Sequence, residues 1–243
     1  MRTLIFFFCA FLYINCFAQK NKQNAFDVAY GHQFPIGDLE EQFGDNSAIC
    51  IAFIIEKNNN IFYGIDANYM FSKNVKDTSI FDNISTMYGA IIASDGHYAN
   101  VNLMQRGFNS HMYLGYAFHF DKQTLSGLYL SLGLGYLQHK IFIDTKNQDI
   151  PQLSENYKKG YDRFSNGISS HLSLTYRYYD KSGKFQIYTG INMTVAYTKL
   201  QRKYLFSDMK YASNQRSKDQ LLGLKMGIII PIKRKNEEEF HYY

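Results

Sequence analysis

Apolar and polar residues alternate one for one along much of the chain, in stretches of strand length rather than helix length. In segment 25–34, Phe26, Val28, Tyr30 and Phe34 alternate with Asp27, Ala29, Gly31 and Gln33. Segment 61–71 sets Ile61, Tyr63, Ile65, Ala67, Tyr69 and Phe71 against Phe62, Gly64, Asp66, Asn68 and Met70. Segments 108–120, 128–136 and 168–178 repeat the pattern, the last opposing Ile168, Leu172, Leu174, Tyr176 and Tyr178 to Ser169, His171, Ser173, Thr175 and Arg177. Weaker alternation marks 47–56, 186–198 and 221–230, so the pattern predicts eight strands.

The connections between these segments alternate in length. A medium loop (35–46), a long one (72–106) and two further long ones (144–162 and about 202–217) interleave with tight turns at 57–60, 121–126 and around Asp180–Gly183. Short and long connections therefore fall at opposite ends. This is the organisation of an all-β, eight-stranded antiparallel up-and-down transmembrane β-barrel with short periplasmic turns and long extracellular loops. A soluble lipocalin-like barrel shows the same alternation, so the polar face has to discriminate. It consists mostly of Gly, Ser, Asn, His, Thr and Ala, and no Asp, Glu, Lys or Arg occurs from Gly107 to Phe120 or from Leu125 to His139. Small uncharged residues suit a narrow lumen better than a face turned to bulk water.

Composition sharpens this picture. The chain holds 21 Tyr and 20 Phe but only 3 Pro and no Trp, a bias toward strand-forming aromatics. Phe71, Phe108, Tyr136 and Tyr176 or Tyr178 fall near strand ends, where interfacial girdles are expected. Residues 1–18 read as a signal peptide: Arg2, an apolar run from Leu4 to Phe17, then small residues Cys16 and Ala18 before Gln19. An acylated Cys16 is the alternative, disfavoured by Asn15 immediately before it. Residues 19–243 then form one barrel domain, exported to the bacterial outer membrane, and Cys50 has no disulfide partner there. The net charge of +5 is too small and too scattered to suggest nucleic acid.

Several segments resemble a family of small outer-membrane β-barrel proteins of Bacteroidetes-type bacteria, the OmpX-like and PorT-like barrels. They are Gly37-Asp38-Leu39 with Phe43-Gly44, Gln105-Arg106-Gly107-Phe108, Leu137-Gln138-His139-Lys140-Ile141, Pro151-Gln152-Leu153 and Tyr157 through Arg163. The resemblance covers nearly all of residues 19–243 and implies a fold and a location, with no established reaction.

Two sets of polar residues are candidates for function. Arg106, His139, Lys140, Asp162 and Arg163 sit where strands meet extracellular loops, and are expected to form a ring at the outer mouth, with Asp162 paired to Arg163, Lys140 or Arg106. That ring either orders the loops or binds an anion such as a lipopolysaccharide phosphate. Asp27, Asp66, Arg177 and Lys225 are expected to form a network across the lumen, where eight strands leave room only for side chains. No catalytic, metal or cofactor motif is recognised, and His111 and His171 read as hydrogen-bonded lumen fillers. The expected role is structural or interactive, through outer-membrane lipid, lipopolysaccharide or an envelope protein partner. An accessory subunit of an envelope secretion or assembly machine is the alternative, and an outer-membrane enzyme is the third reading. The charged end, residues 236–243 included, is expected to be a solvated tail.

Overall fold

The computed structural model describes residues 21–120, 124–180, 186–212 and 216–232. The leader at 1–18 and the tail at 236–243 lie outside the described residues, as do parts of two of the short turns. Eight long strands are present: β1 (Asn21–Gly37), β2 (Asn46–Lys57), β3 (Ile61–Ser72), β4 (Asn102–His119), β5 (Gly127–Asp144), β6 (Ser165–Tyr179), β7 (Gln186–Leu200) and β8 (Arg216–Ile232). Each pairs antiparallel with its neighbours in sequence, and β1 pairs with β8 from Asn24↔Ile232 to Gly37↔Asp219, which closes the barrel. Closure leaves no edge strand, so every barrel strand has hydrogen-bonding neighbours on both sides.

The strands run past the ends that alternation predicts. β4 starts at Asn102 rather than near 108, β5 continues to Asp144 rather than 136, and β8 begins at Arg216 rather than 221. Backbone pairing persists there, but the outward positions turn polar, so the hydrophobic signal fades before the ladder does.

The predicted faces sort inward and outward. Met112, Leu132, Leu134 and Ile168 are between 63% and 75% exposed on the outside, whereas His111, Ser131, Ser169, Ser173 and Arg177 are buried within. The outward apolar runs Phe108–Phe118 on β4, Ile168–Tyr178 on β6 and Leu222–Ile232 on β8 each cover about ten residue steps, roughly 33 Å along the strand. At a tilt of about 40° that projects to about 25 Å, the height of a hydrocarbon-facing band. No helix among the described residues is long and apolar enough to cross a membrane.

The long connections do not trail as loops. They fold over one end of the barrel into a cap with its own core. The first carries a short helix, α1 (Asp38–Gln42), whose Leu39 is buried, followed by the fully buried Phe43, packed edge-on 5.6 Å from His139. The motif residues Gly37, Leu39 and Phe43 thus build a plug. Gly37 turns the chain with φ 68°, a region that suits glycine. The other three loops meet in an aromatic cluster in which Tyr161 lies 5.5 Å from both Phe81 and Phe206, over buried Ile80, Ile91, Ile150 and Leu153. A further hairpin of two-residue strands (Tyr204–Leu205 and Lys210–Tyr211) sits in the last loop.

Candidate functional site

The lumen is filled by paired polar groups. Arg177 on β6 forms a two-pronged contact with Asp27 on β1, its Nη1 donating to Oδ2 at 2.7 Å and its Nη2 to Oδ1 at 2.8 Å. The guanidinium also donates from Nε to the Tyr179 hydroxyl at 3.1 Å and stacks over Tyr129 and Tyr188 at 5.2 and 5.4 Å. An arginine this enclosed needs both a counter-ion and the aromatic faces, because its charge cannot be shed. Lys225 faces the same space, 6.0 Å from the Tyr188 ring, and shares with Asp27, Asp66 and Arg177 the lining of a cavity of about 40 Å³. That is room for two or three waters and far too little for a solute path.

Asp66 has a different partner. Its Oδ1 lies 3.1 Å from His111 Nδ1, and His111 Nε2 lies 3.0 Å from the Ser169 hydroxyl, while the ring stacks on His171 at 4.7 Å. An acid, an imidazole and a hydroxyl in this order are the parts of a nucleophilic triad, a juxtaposition invisible in the spacing of Asp66, His111 and Ser169. Ser169 and His111 are each 1% exposed, and neither lines the lumen cavity. Lower in the barrel, Glu56 accepts from the Tyr129 hydroxyl at 2.7 Å and lies 2.8 Å from His119 Nε2, completing the filling.

The five residues expected to form one ring at the mouth separate into three groups. His139 points inward, not to the rim, and its Nε2 lies 2.9 Å from Asp219 Oδ2, which also accepts from the Thr198 hydroxyl. Asp162 and Arg163 belong to the cap but do not pair with each other. Asp162 binds Arg202 through both carboxylate oxygens, and that hydrogen bonding raises the Arg202 pKa above its ordinary value. Arg163 pairs with Asp77 and reaches Asp208 at 3.6 Å, tying three loops together. Arg106 and Lys140 point outward, away from the lumen. Strand parity decides the split: odd-numbered residues of β4 and β5 face in and even-numbered ones face out, a rule that holds only if the strands extend to 102 and 144. The partners Asp77, Asp208, Arg202 and Asp219 come from segments far off in sequence, and no local signal marks them.

Outside the barrel, just beyond the apolar band at the cap end, Arg106 and Lys140 line a groove of about 580 Å³ with Arg202, Phe108, Phe142 and Phe164. Arg106 donates to the Gln105 carbonyl at 2.8 Å and to Met104 Sδ at 3.1 Å, and lies 5.6 Å from the Phe142 ring. Among the described residues no set of three or more His, Cys, Asp or Glu side chains is placed to hold a metal.

These features define a closed eight-stranded barrel with an apolar exterior, a filled lumen and a folded cap. Compared with known proteins, the chain matches no family model and no curated protein. It is similar to solved structures of small barrels from bacterial outer membranes. Neisserial surface protein A matches at 11% identity over 86% of this chain and 98% of that one, with TM-score 0.43. Ail, the attachment invasion locus protein of Yersinia pestis, matches at 10% identity over 86% and 98%, with TM-score 0.40. Outer membrane protein OprG from Pseudomonas aeruginosa matches at 10% identity over 89% and 99%, with TM-score 0.39. The hydrogen-bonded pairing of β1 with β8 closes this chain into a barrel.

Proposed function

We propose that this protein is an integral barrel of the bacterial outer membrane whose role is structural or interactive, exercised through its extracellular cap and outer rim. The outward apolar band supports the membrane setting, since exposing that surface to water would be costly. The short turns then face the periplasm and the cap faces the exterior. One observation carries the role: the lumen is blocked by the Arg177–Asp27 pair and its aromatic surround, beneath a plug centred on Phe43, so the surfaces left to act are outside. The motifs around Phe43, Arg106 and His139 support kinship with the Bacteroidetes-type barrels.

Two experiments test this. Purified protein folded in detergent should change gel mobility on boiling, and liposomes containing it should not swell with small sugars. Sugar flux, or unchanged mobility, would refute the reading. A non-enzymatic role also implies that a fluorophosphonate probe fails to label Ser169, which is sealed inside the barrel. Labelling lost in a Ser169→Ala variant would overturn that part. Co-purification with a fixed set of envelope proteins is the outcome that favours an accessory subunit.

A further inference from the structure

Strand register sets like charges face to face on the outer rim. Arg106 on β4 is directly opposite Lys140 on β5, and Lys199 on β7 is directly opposite Arg216 on β8. All four occupy outward positions at the cap end, and among the described residues none of the four pairs with a carboxylate. Directly opposed like charges oppose sheet pairing. Two acids of this end are engaged elsewhere, Asp162 with Arg202 and Asp219 inside the lumen with His139. The two cation pairs stand on either side of β6, whose outward Asn166 is in register with Lys199 on one side and with Gln138 on the other. Farther up the β5 side Lys140 also lines a mixed groove with Asp144, Glu155 and Asp162, where its charge acts on Glu155, which Lys158 holds at 2.9 Å; the groove that borders the apolar band carries Arg106, Lys140 and Arg202 in its lining.

Resting on the outer-membrane reading above, we infer that these two cation pairs, Arg106 with Lys140 and Lys199 with Arg216, bind the phosphate groups of an outer-leaflet glycolipid. Position selects this ligand. Arg106 is two residues above Phe108 and Lys140 four above Tyr136, both on the lipid-facing side, so a bound phosphate would have its acyl chains alongside Met112, Leu132 and Leu134. Phosphate accepts the forked donors of arginine with two parallel hydrogen bonds and removes the repulsion that register imposes. Phe142 and Phe164 give the groove walls against which sugar faces pack.

The test compares the full protein with Arg106→Gln/Lys140→Gln, Lys199→Gln/Arg216→Gln and the fourfold variant, all folded in zwitterionic detergent. Diphosphoryl lipid A, its dephosphorylated form and inorganic phosphate serve as probes, with binding read by native mass spectrometry and by thermal unfolding. The wild type should bind diphosphoryl lipid A at least tenfold more tightly than the fourfold variant does, with each double variant between them, and should be stabilised by it. Without lipid, the variants should unfold at the same temperature as the wild type or higher, because repulsion has been relieved. Equal binding by wild type and fourfold variant, equal binding of the dephosphorylated lipid, or an equal effect of inorganic phosphate would each overturn the inference. Heat-modifiable mobility is scored on every sample. A wild type lacking it overturns the membrane reading and this inference together, whereas a wild type that keeps it but fails the binding comparison overturns this inference alone.

Discussion

Replacing Asp27 with alanine is the sharpest perturbation of the lumen. In the native barrel the Asp27 and Arg177 side chains are each almost wholly buried and joined by two hydrogen bonds of 2.7 and 2.8 Å. Asp27→Ala removes the counter-ion and leaves the guanidinium enclosed by Tyr129, Tyr179 and Tyr188, whose ring faces compensate only in part. Breaking a buried pair from one side costs about 3–5 kcal/mol, which lowers the folding equilibrium constant by roughly two to three and a half orders of magnitude. A double variant, Asp27→Leu with Arg177→Met, restores neutrality and fills the space, and is expected to recover most of that loss. Guanidinium chloride unfolding in lipid vesicles, followed by heat-modifiable mobility and by tyrosine fluorescence in this tryptophan-free chain, measures both. A loss below about 1 kcal/mol in the single variant, or a double variant no better than the single one, would show that the pair does not anchor the lumen.

Leu132→Arg places a charge at the middle of the outward band and should cost about 2–4 kcal/mol in vesicle unfolding. Arg163→Ala together with Arg202→Ala cuts the ties from Asp77, Asp162 and Asp208. Trypsin should then cleave within the cap while the barrel keeps its heat-modifiable mobility, and an uncut cap would mean that the aromatic cluster around Tyr161 suffices. Gly135→Ala drives a Cβ into the Ser110 carbonyl and against His111, so a destabilisation of about 1–3 kcal/mol is expected in the same unfolding assay.

The sequence by itself determined the strand number, the facing of each strand and the inward placement of Asp27, Asp66, Arg177 and Lys225. Period-two alternation is a local property: an apolar exterior on one side and a crowded lumen on the other write it into each strand separately. It failed where the outward apolar band ends. Beyond Phe108 and Tyr136 the outward positions become Arg106, Gln138 and Lys140, the alternation vanishes, and the strands looked shorter than they are. His139 and Lys140, adjacent in sequence and assigned to one ring, consequently point to opposite sides of the wall.

Tertiary structure alone decided the partners. Asp27 and Arg177 are 150 residues apart, and His139 and Asp219 are 80 apart, brought together only when the sheet closes and its register is set. The same register places Arg106 opposite Lys140 and Lys199 opposite Arg216. The sequence marked the long connections only as loops, and the shared core of the cap was not legible in it. Phe81, Tyr161 and Phe206 come from three of them and can bury one another only on the platform that the finished barrel provides.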